Sequence, residues 1–325
     1  MIFNDTPHFL IIRQAQNRYL HPQALRHART TPHQIAVLAV RSLYEELALY
    51  PKPGLVSMRD NGSHRDMTAT TLMRSLFSLR HYLKAMVMAG ERLASFEELK
   101  QLGVQAEQRM LQATRGVNTH RGAIFVLGML CAAAGAAISL VTATGSRRSG
   151  QVLFNLSVPQ LRATLRQHWG AGLLQHAGLV STAQQVGQVQ QYSHGQRAAR
   201  LFAVSGAREE GALGFPTVFD IGVPRWQATW ARTRDVQRAQ IDCLFALMAS
   251  MSDTNLYHRG GSAGATWVKA QAQAFLAAGG SAAPDWQRNA ERMHYACIER
   301  NLSPGGAADL LAASRFVVTL TAQSA

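Results

Sequence analysis

A chain of 325 residues that is 47% apolar and 16% charged can bury a large core, which excludes a disordered tail or a small disulfide-stapled scaffold. Its formal charge of +14 comes almost wholly from arginine, the only lysines being Lys52, Lys84, Lys100 and Lys269. That excess favours polyanionic partners, yet the arginines are scattered and aromatic content is 7%, so the clustered basic runs of a nucleic-acid binder are missing and no nucleic-acid partner is expected.

In chain order, residues 1–30 read as a basic N-terminal extension and residues 31–325 as one catalytic domain. The opening "MIFNDTPHFLIIRQAQNR" puts Asp5 and Pro7 before a short apolar run and has no basic n-region, so it does not read as a secretory signal. Cys131, Cys243 and Cys297 lie far apart without CxxC spacing, which points to a reducing cytoplasm rather than to disulfides or zinc. Residues 33–49 carry apolar positions three and four apart, the period of an amphipathic helix. The period recurs at 67–89, with Asp66 the expected N-cap and Gly90 the expected C′ residue, and again at 95–113, 119–143 and 235–258.

The segment "GAIFVLGMLCAAAGAAISLVTA", 122–143, is uncharged for 22 residues and long enough to span a bilayer. Arginine stands at both ends (Arg121, then Arg147 and Arg148), so there is no charge asymmetry; a helix buried by its neighbours is expected, and no membrane partner. Residues 144–195, where glycine and glutamine recur, fit a long loop or two short helices. Alternating β-branched runs are nearly absent. The fold class expected is all-α, a single multi-helix globular domain with its active site formed by inter-helix loops.

Charged and glycine-rich positions collect at those junctions. In "YPKPGLVSMRDNGSHRDM", 50–67, two prolines fix φ around Lys52 and pre-position its ammonium, and Glu46 projects from the preceding helix toward the same space. Lys52 and His64 suit phosphate and Asp66 suits a hard cation such as Mg²⁺, while Arg59, Asp60 and Arg65 receive no role. In "RGVNTHRGAI", Asn118 suits an N-cap, but His120 and Arg121 in a first helical turn are sensible only with an anion such as phosphate over the exposed N–H groups. "GAREEGALGFP" places Arg208, Glu209 and Glu210 in a shaped loop or a solvated turn. "SDTNLYHRGG" puts Asp253, Asn255 and Arg259 at the end of a helix closed by Gly260. "NLSPGGAADLLA" offers Ser303 as N-cap, Pro304 at N1, and Asp309 among apolar neighbours, where a carboxylate is costly without a partner.

GxSxG, GxxxxGK[ST], GxGxxG after a strand and HExxH are all missing, so the usual nucleophile, phosphate-loop and hydride-transfer readings fail. The residues leave open a nucleosidase, an Mg²⁺-dependent phosphotransferase or a basic helical nucleic-acid-binding protein.

The motifs "PKPGLV…NGSHRDM", "GVNTHRGAIFVLG", "SHGQRAAR…GAREEGALGFP", "DTNLYHRGG" and "NLSPGGAADLLA", in this order over about residues 33–316, closely resemble triphosphoribosyl-dephospho-coenzyme A synthases, accessory enzymes of citrate lyase and malonate decarboxylase. Ser57 and Ser193 depart from the family's usual Asp and Thr. The resemblance implies an all-α fold, ATP and 3′-dephospho-CoA as substrates, Mg²⁺ use, and release of adenine as the triphosphoribosyl group passes to a ribose 2′-hydroxyl. It also implies a product handed to a separate carrier-protein transferase; the malonate system is preferred over the citrate one.

Such a reaction breaks an N-glycosidic bond through an oxocarbenium-like transition state, so carboxylates near the ribose are wanted. A single inverting displacement is the simplest scheme. Asp66, Asp309 and Glu46 are the expected catalytic carboxylates, with Asp66 and Asp253 on the metal. Lys52, His64, Asn118, His120, Arg121, Arg208, Asn255 and Arg259 are the expected substrate-binding residues.

Overall fold

The computed structural model describes residues 31–143, 156–177 and 207–322. The N-terminal extension, Arg147, Arg148 and Ser193 lie outside the described residues. The described residues are helical, with no strand among them, as the composition predicts.

The helices are α1 (Pro32–Ala48), α2 (Ala69–Ser78), α3 (Arg80–Glu91), α4 (Phe96–Ala113), α5 (Arg121–Ala143), α6 (Val158–Ala177), α7 (Ala207–Ala212), α8 (Val223–Thr233), α9 (Val236–Ser250), α10 (Thr254–Ala277), α11 (Trp286–Glu299) and α12 (Gly305–Ala322). A π-helical segment, Thr217–Gly222, leads into α8. Side chains mark the starts. Thr31 and Gln34 form a reciprocal capping box ahead of Pro32, Ser95 accepts from the Glu98 N–H, and Asp235 caps α9.

Several boundaries differ from those read in the sequence. The cap at the end of the 50–67 loop is Thr68, whose hydroxyl accepts from the Thr71 N–H, so Asp66 lies before the helix with its side chain 63% exposed. The helix expected at 67–89 divides at Leu79 into α2 and α3. Gly90 is not a C′ residue but lies within α3, where a Cβ would overlap the Ala132 carbonyl. The stretch 235–258 is two helices, because Asp253 caps a fresh start at Thr254. Asp253, Asn255 and Arg259 therefore open α10 rather than close a helix, and the backbone leaves helical geometry only at Gly261 (φ 61°, ψ −163°). Of the weakly patterned 144–195 stretch the described residues are 156–177, and they hold a 20-residue helix, α6.

Two apolar helices organise the core. The 18-residue apolar window of α5 is 83% buried, chiefly by α3, α12 and α6, as expected for a central helix. Glycine makes the α3–α5 approach close: a Cβ at Gly128 would overlap the Tyr82 hydroxyl and one at Gly135 the Val87 carbonyl. The other central helix, α12, packs on α1, α5, α9 and α8. Its Arg315, 8% exposed, pairs with Glu45 at 2.5 Å and lies over the Trp226 ring. All three cysteines are buried and free. The first turns of α5, α10 and α12 face the same space, together with the end of α1 and the 50–67 loop.

Candidate active site

A cavity of about 1440 Å³ opens among these helix ends. Ligand clefts commonly run to about 300–1,000 Å³, so this one has room for more than one nucleotide-sized molecule. Ten of the residues expected at the site line it: Glu46, His64, Asp66, Asn118, His120, Arg121, Arg208, Asn255, Arg259 and Asp309. Lys52 and Asp253 sit behind its surface.

Glu46 ends α1 with 7% exposure, and the Lys52 ammonium donates to its Oε1 at 2.5 Å and to its backbone carbonyl at 2.7 Å. The sequence places these two residues in one space, and they meet. Lys52 is only 1% exposed, so it holds Glu46 from beneath instead of presenting its charge to a phosphate. Burial pushes the lysine down from its ordinary range, and Glu46 opposes that shift.

Asp309 reaches across to the first turn of α5, where its carboxyl accepts from the Ala123 N–H and its Oδ2 fills the space where a Gly122 side chain would stand. A carboxyl from within the chain thus accepts at the helix start where the sequence calls for phosphate. Asp309 is held well above the usual carboxylate range by burial first, then by Glu46 and Asp253; the Ala123 bond opposes the shift.

His120, expected as a phosphate-binding cation, is neutral. Burial first, then Lys52, lowers its pKa to about 4. Thr119 donates to Ser75 Oγ at 2.6 Å, and Ser75 Oγ lies 2.6 Å from His120 Nδ1, so a chain of hydroxyls serves Nδ1 and leaves the ring proton on Nε2. The Ile124 N–H bonds to the His120 carbonyl, which makes His120 the residue that opens α5; Asn118, the expected N-cap, lies two residues earlier on the cavity wall. Arg121 pairs with Glu107, a cavity residue that nothing in the sequence singles out, being 14 positions away in another helix.

The 50–67 loop and the first turns of α10 and α12 form a second polar wall. Arg259 donates to the Ser63 carbonyl at 2.9 Å, to Asn301 Oδ1 at 3.0 Å and to His64 Nδ1 at 3.0 Å. A guanidinium cannot accept, so Nδ1 is unprotonated and Nε2 donates to Ser303 Oγ at 2.8 Å. Burial first, then Arg259, lowers the His64 pKa to about 4. Ser303 is therefore held by His64, whereas the sequence assigned it an N-cap role. Asp253, 3% exposed, accepts from the Asn255 N–H at 2.9 Å and the Ala307 N–H at 3.0 Å, with Gly306 a further backbone donor. One carboxylate thereby caps both α10 and α12.

The opposite end is aromatic and basic. His176 lies 5.6 Å from the Phe96 ring and 6.2 Å from the Phe125 ring, and Arg208 donates to the His176 carbonyl at 3.4 Å. Phe96, Lys100 and His176 line the cavity without a sequence motif to announce them, and Phe125 joins them from within the "GVNTHRGAIFVLG" motif. Glu210 is no solvated turn residue: it accepts from the Thr217 N–H at 2.7 Å and the Thr217 hydroxyl at 3.0 Å, tying α7 to the π-helical segment. Among the described residues no group of three or more His, Cys, Asp or Glu is arranged around a metal position.

Fold and site together define an all-α enzyme whose helix-junction loops enclose buried carboxylates in a cavity lined by both arginines and acids. Residues 32–325 match the family described as CitG: ATP:dephospho-CoA triphosphoribosyl transferase. Similar curated proteins, each named a probable 2-(5''-triphosphoribosyl)-3'-dephosphocoenzyme-A synthase, come from Acinetobacter calcoaceticus (37% identity, covering 88% of this chain and 90% of that one) and Pseudomonas putida (38%, covering 87% and 93%). Another, from Vibrio cholerae, is 34% identical over 89% of this chain and 88% of its own length. No solved structure matches. The chain belongs to the triphosphoribosyl-dephospho-CoA synthase family and is a transferase.

Proposed function

We propose that this protein transfers the 5-triphosphoribosyl group of ATP to the 2′-hydroxyl of 3′-dephospho-CoA and releases adenine. The observation that carries the reading is the pairing of two carboxyls, the buried Glu46 and the partly buried Asp309, in a cavity large enough for two nucleotides and bordered by Arg121, Arg208 and Arg259. Family membership supplies the substrate class. Carboxylates are what an oxocarbenium-like transition state needs beside it, and arginine forks suit the phosphates of both substrates.

Asn118, Asn255 and Ser303 orient ribose or phosphate oxygens, and His120 offers a neutral N–H to one of them. Arg259, held by Ser63 and Asn301, presents its guanidinium in a fixed position toward phosphate. Lys52 acts indirectly by holding Glu46. Mg²⁺ enters as part of the ATP substrate, where it neutralises triphosphate charge. The exposed carboxylate of Asp66 suits such an ion, which takes one or two protein carboxylates and completes its shell with phosphate and water. The buried, amide-bonded Asp253 does not. The product serves the carrier-protein subunit of malonate decarboxylase, or of citrate lyase, through a separate transferase.

The test is incubation with ATP, Mg²⁺ and dephospho-CoA, followed by mass spectrometry for free adenine and the triphosphoribosyl adduct. Adenine released equally well without dephospho-CoA would make the protein a nucleosidase, and ADP formation would make it a phosphotransferase. Transfer of the product to carrier proteins of the two decarboxylating and lyase systems distinguishes the pathways.

A further inference from the structure

Resting on the transferase reading, we infer that Asp309 carries the proton that the departing purine needs, while Glu46, held by Lys52, receives the proton of the attacking hydroxyl. Three carboxyls share one region: Asp309 faces the charges of both Glu46 and Asp253, and of the three the Lys52 ammonium bonds to Glu46. His120 beside it is uncharged, so it adds no compensation.

The three acids are provided for differently. Burial raises Asp253, and backbone N–H groups from Asn255, Gly306 and Ala307 oppose that rise by favouring its ionised form. Glu46 receives the ammonium of Lys52 on Oε1. Asp309 receives the Ala123 N–H and faces the charges of both other carboxylates. The spare proton therefore rests on Asp309, since two carboxyls in one desolvated site that differ in partners divide into an acid and a base.

The steps balance without another reactant. The C1′–N9 bond of ATP breaks and leaves its electron pair on the purine, which takes the Asp309 proton on a ring nitrogen and departs as neutral adenine. The 2′-oxygen of dephospho-CoA bonds to C1′, and its proton passes to Glu46. Return of that proton from Glu46 to Asp309 restores the starting state, and the triphosphate stays on C5′ throughout. Gly122 acts as a positioning residue by leaving room for the Asp309 carboxyl.

Two measurements test this. Infrared difference spectra of the substrate-free protein at neutral pH, wild type against Asp309→Asn, should show a deuteration-sensitive protonated-carboxyl band that the variant lacks. No such band, or one that survives in the variant, overturns the proton assignment. With ATP as donor, Asp309→Asn should lose about 10²–10⁴-fold in turnover, the usual contribution of a general acid. With a nitrophenyl riboside 5′-triphosphate, whose leaving group needs no proton, it should come within about tenfold of wild type. Equal losses on both donors would overturn the acid role, thermal melts confirming that the variant is folded. Wild-type protein that releases no adenine would overturn the transferase reading itself, whereas active enzyme without the band overturns this inference alone.

Discussion

Gly122 leaves vacant the volume that Asp309 Oδ2 occupies: a side chain on one would overlap the carboxyl of the other. Ordinarily alanine in a helix is favoured over glycine by roughly 0.5–1 kcal/mol. Gly122→Ala is expected to lose that gain to the overlap and to swing Asp309 off the first turn of α5. Turnover should fall about 10²-fold or more, while equilibrium binding of ATP changes little. Steady-state kinetics beside calorimetric titration checks the split.

The raised pKa of Asp309 fixes a sign for stability. Between the ordinary aspartate value and the raised one, the folded chain holds a proton that the unfolded chain has released. Stability therefore falls as pH rises through that window. Asp309→Asn removes the ionisation, so its melting temperature relative to wild type should climb as pH is raised from the ordinary aspartate value of about 3.9 toward the raised one. Melts at several pH values decide it, a constant difference being the contrary result.

Lys52 and Glu46 should behave as a unit. Lys52→Met leaves a carboxylate buried without its ammonium, a loss of about 3–5 kcal/mol. Combining it with Glu46→Gln removes the orphaned charge and should recover most of the stability in urea unfolding, with turnover still abolished. A double variant as unstable as the sum of the singles would show that the pair is not coupled.

His120 and His176 supply the opposite pH dependence from Asp309. Each is held to about 4 by burial, with Lys52 adding to the effect at His120 and Arg208 and Lys100 at His176. Below the ordinary histidine value of about 6.5 the unfolded chain takes up protons that the folded chain refuses, so stability falls as pH drops from there toward 4. His120→Asn should flatten that fall, and the slope of melting temperature against pH measures it.

Much of the fold was legible because apolar spacing reports burial directly: α1, α4 and α5 stand close to where the period places them. Boundaries failed where a side chain overrode the pattern. The apolar period ran through 251–253, and only the cap geometry of Asp253 shows that a new helix begins there. Asp309 was legible, since a carboxylate among apolar neighbours demands a partner. The direction of a charge was not. Nothing in "PKPG" says that Lys52 points under the cavity instead of into it, or that Asp60, given no role, meets the buried His294 at 3.1 Å across 234 positions. His120 and Arg121 drew attention to the start of α5 as a place for phosphate, but sequence alone had no means of naming Asp309 as the carboxyl that accepts there.

The bonds that Asp253 makes have a mechanical meaning. Amides at the starts of α10 and α12 hang from the same carboxylate, so the wall bearing Asn255 and Arg259 and the wall bearing Ser303 and Asp309 have no independent travel. Whatever shifts one drags the other, so the Arg259 guanidinium stays in register with the Asp309 carboxyl. The amides of Asn255, Gly306 and Ala307 are expected to exchange with deuterium in step, opening as one latch.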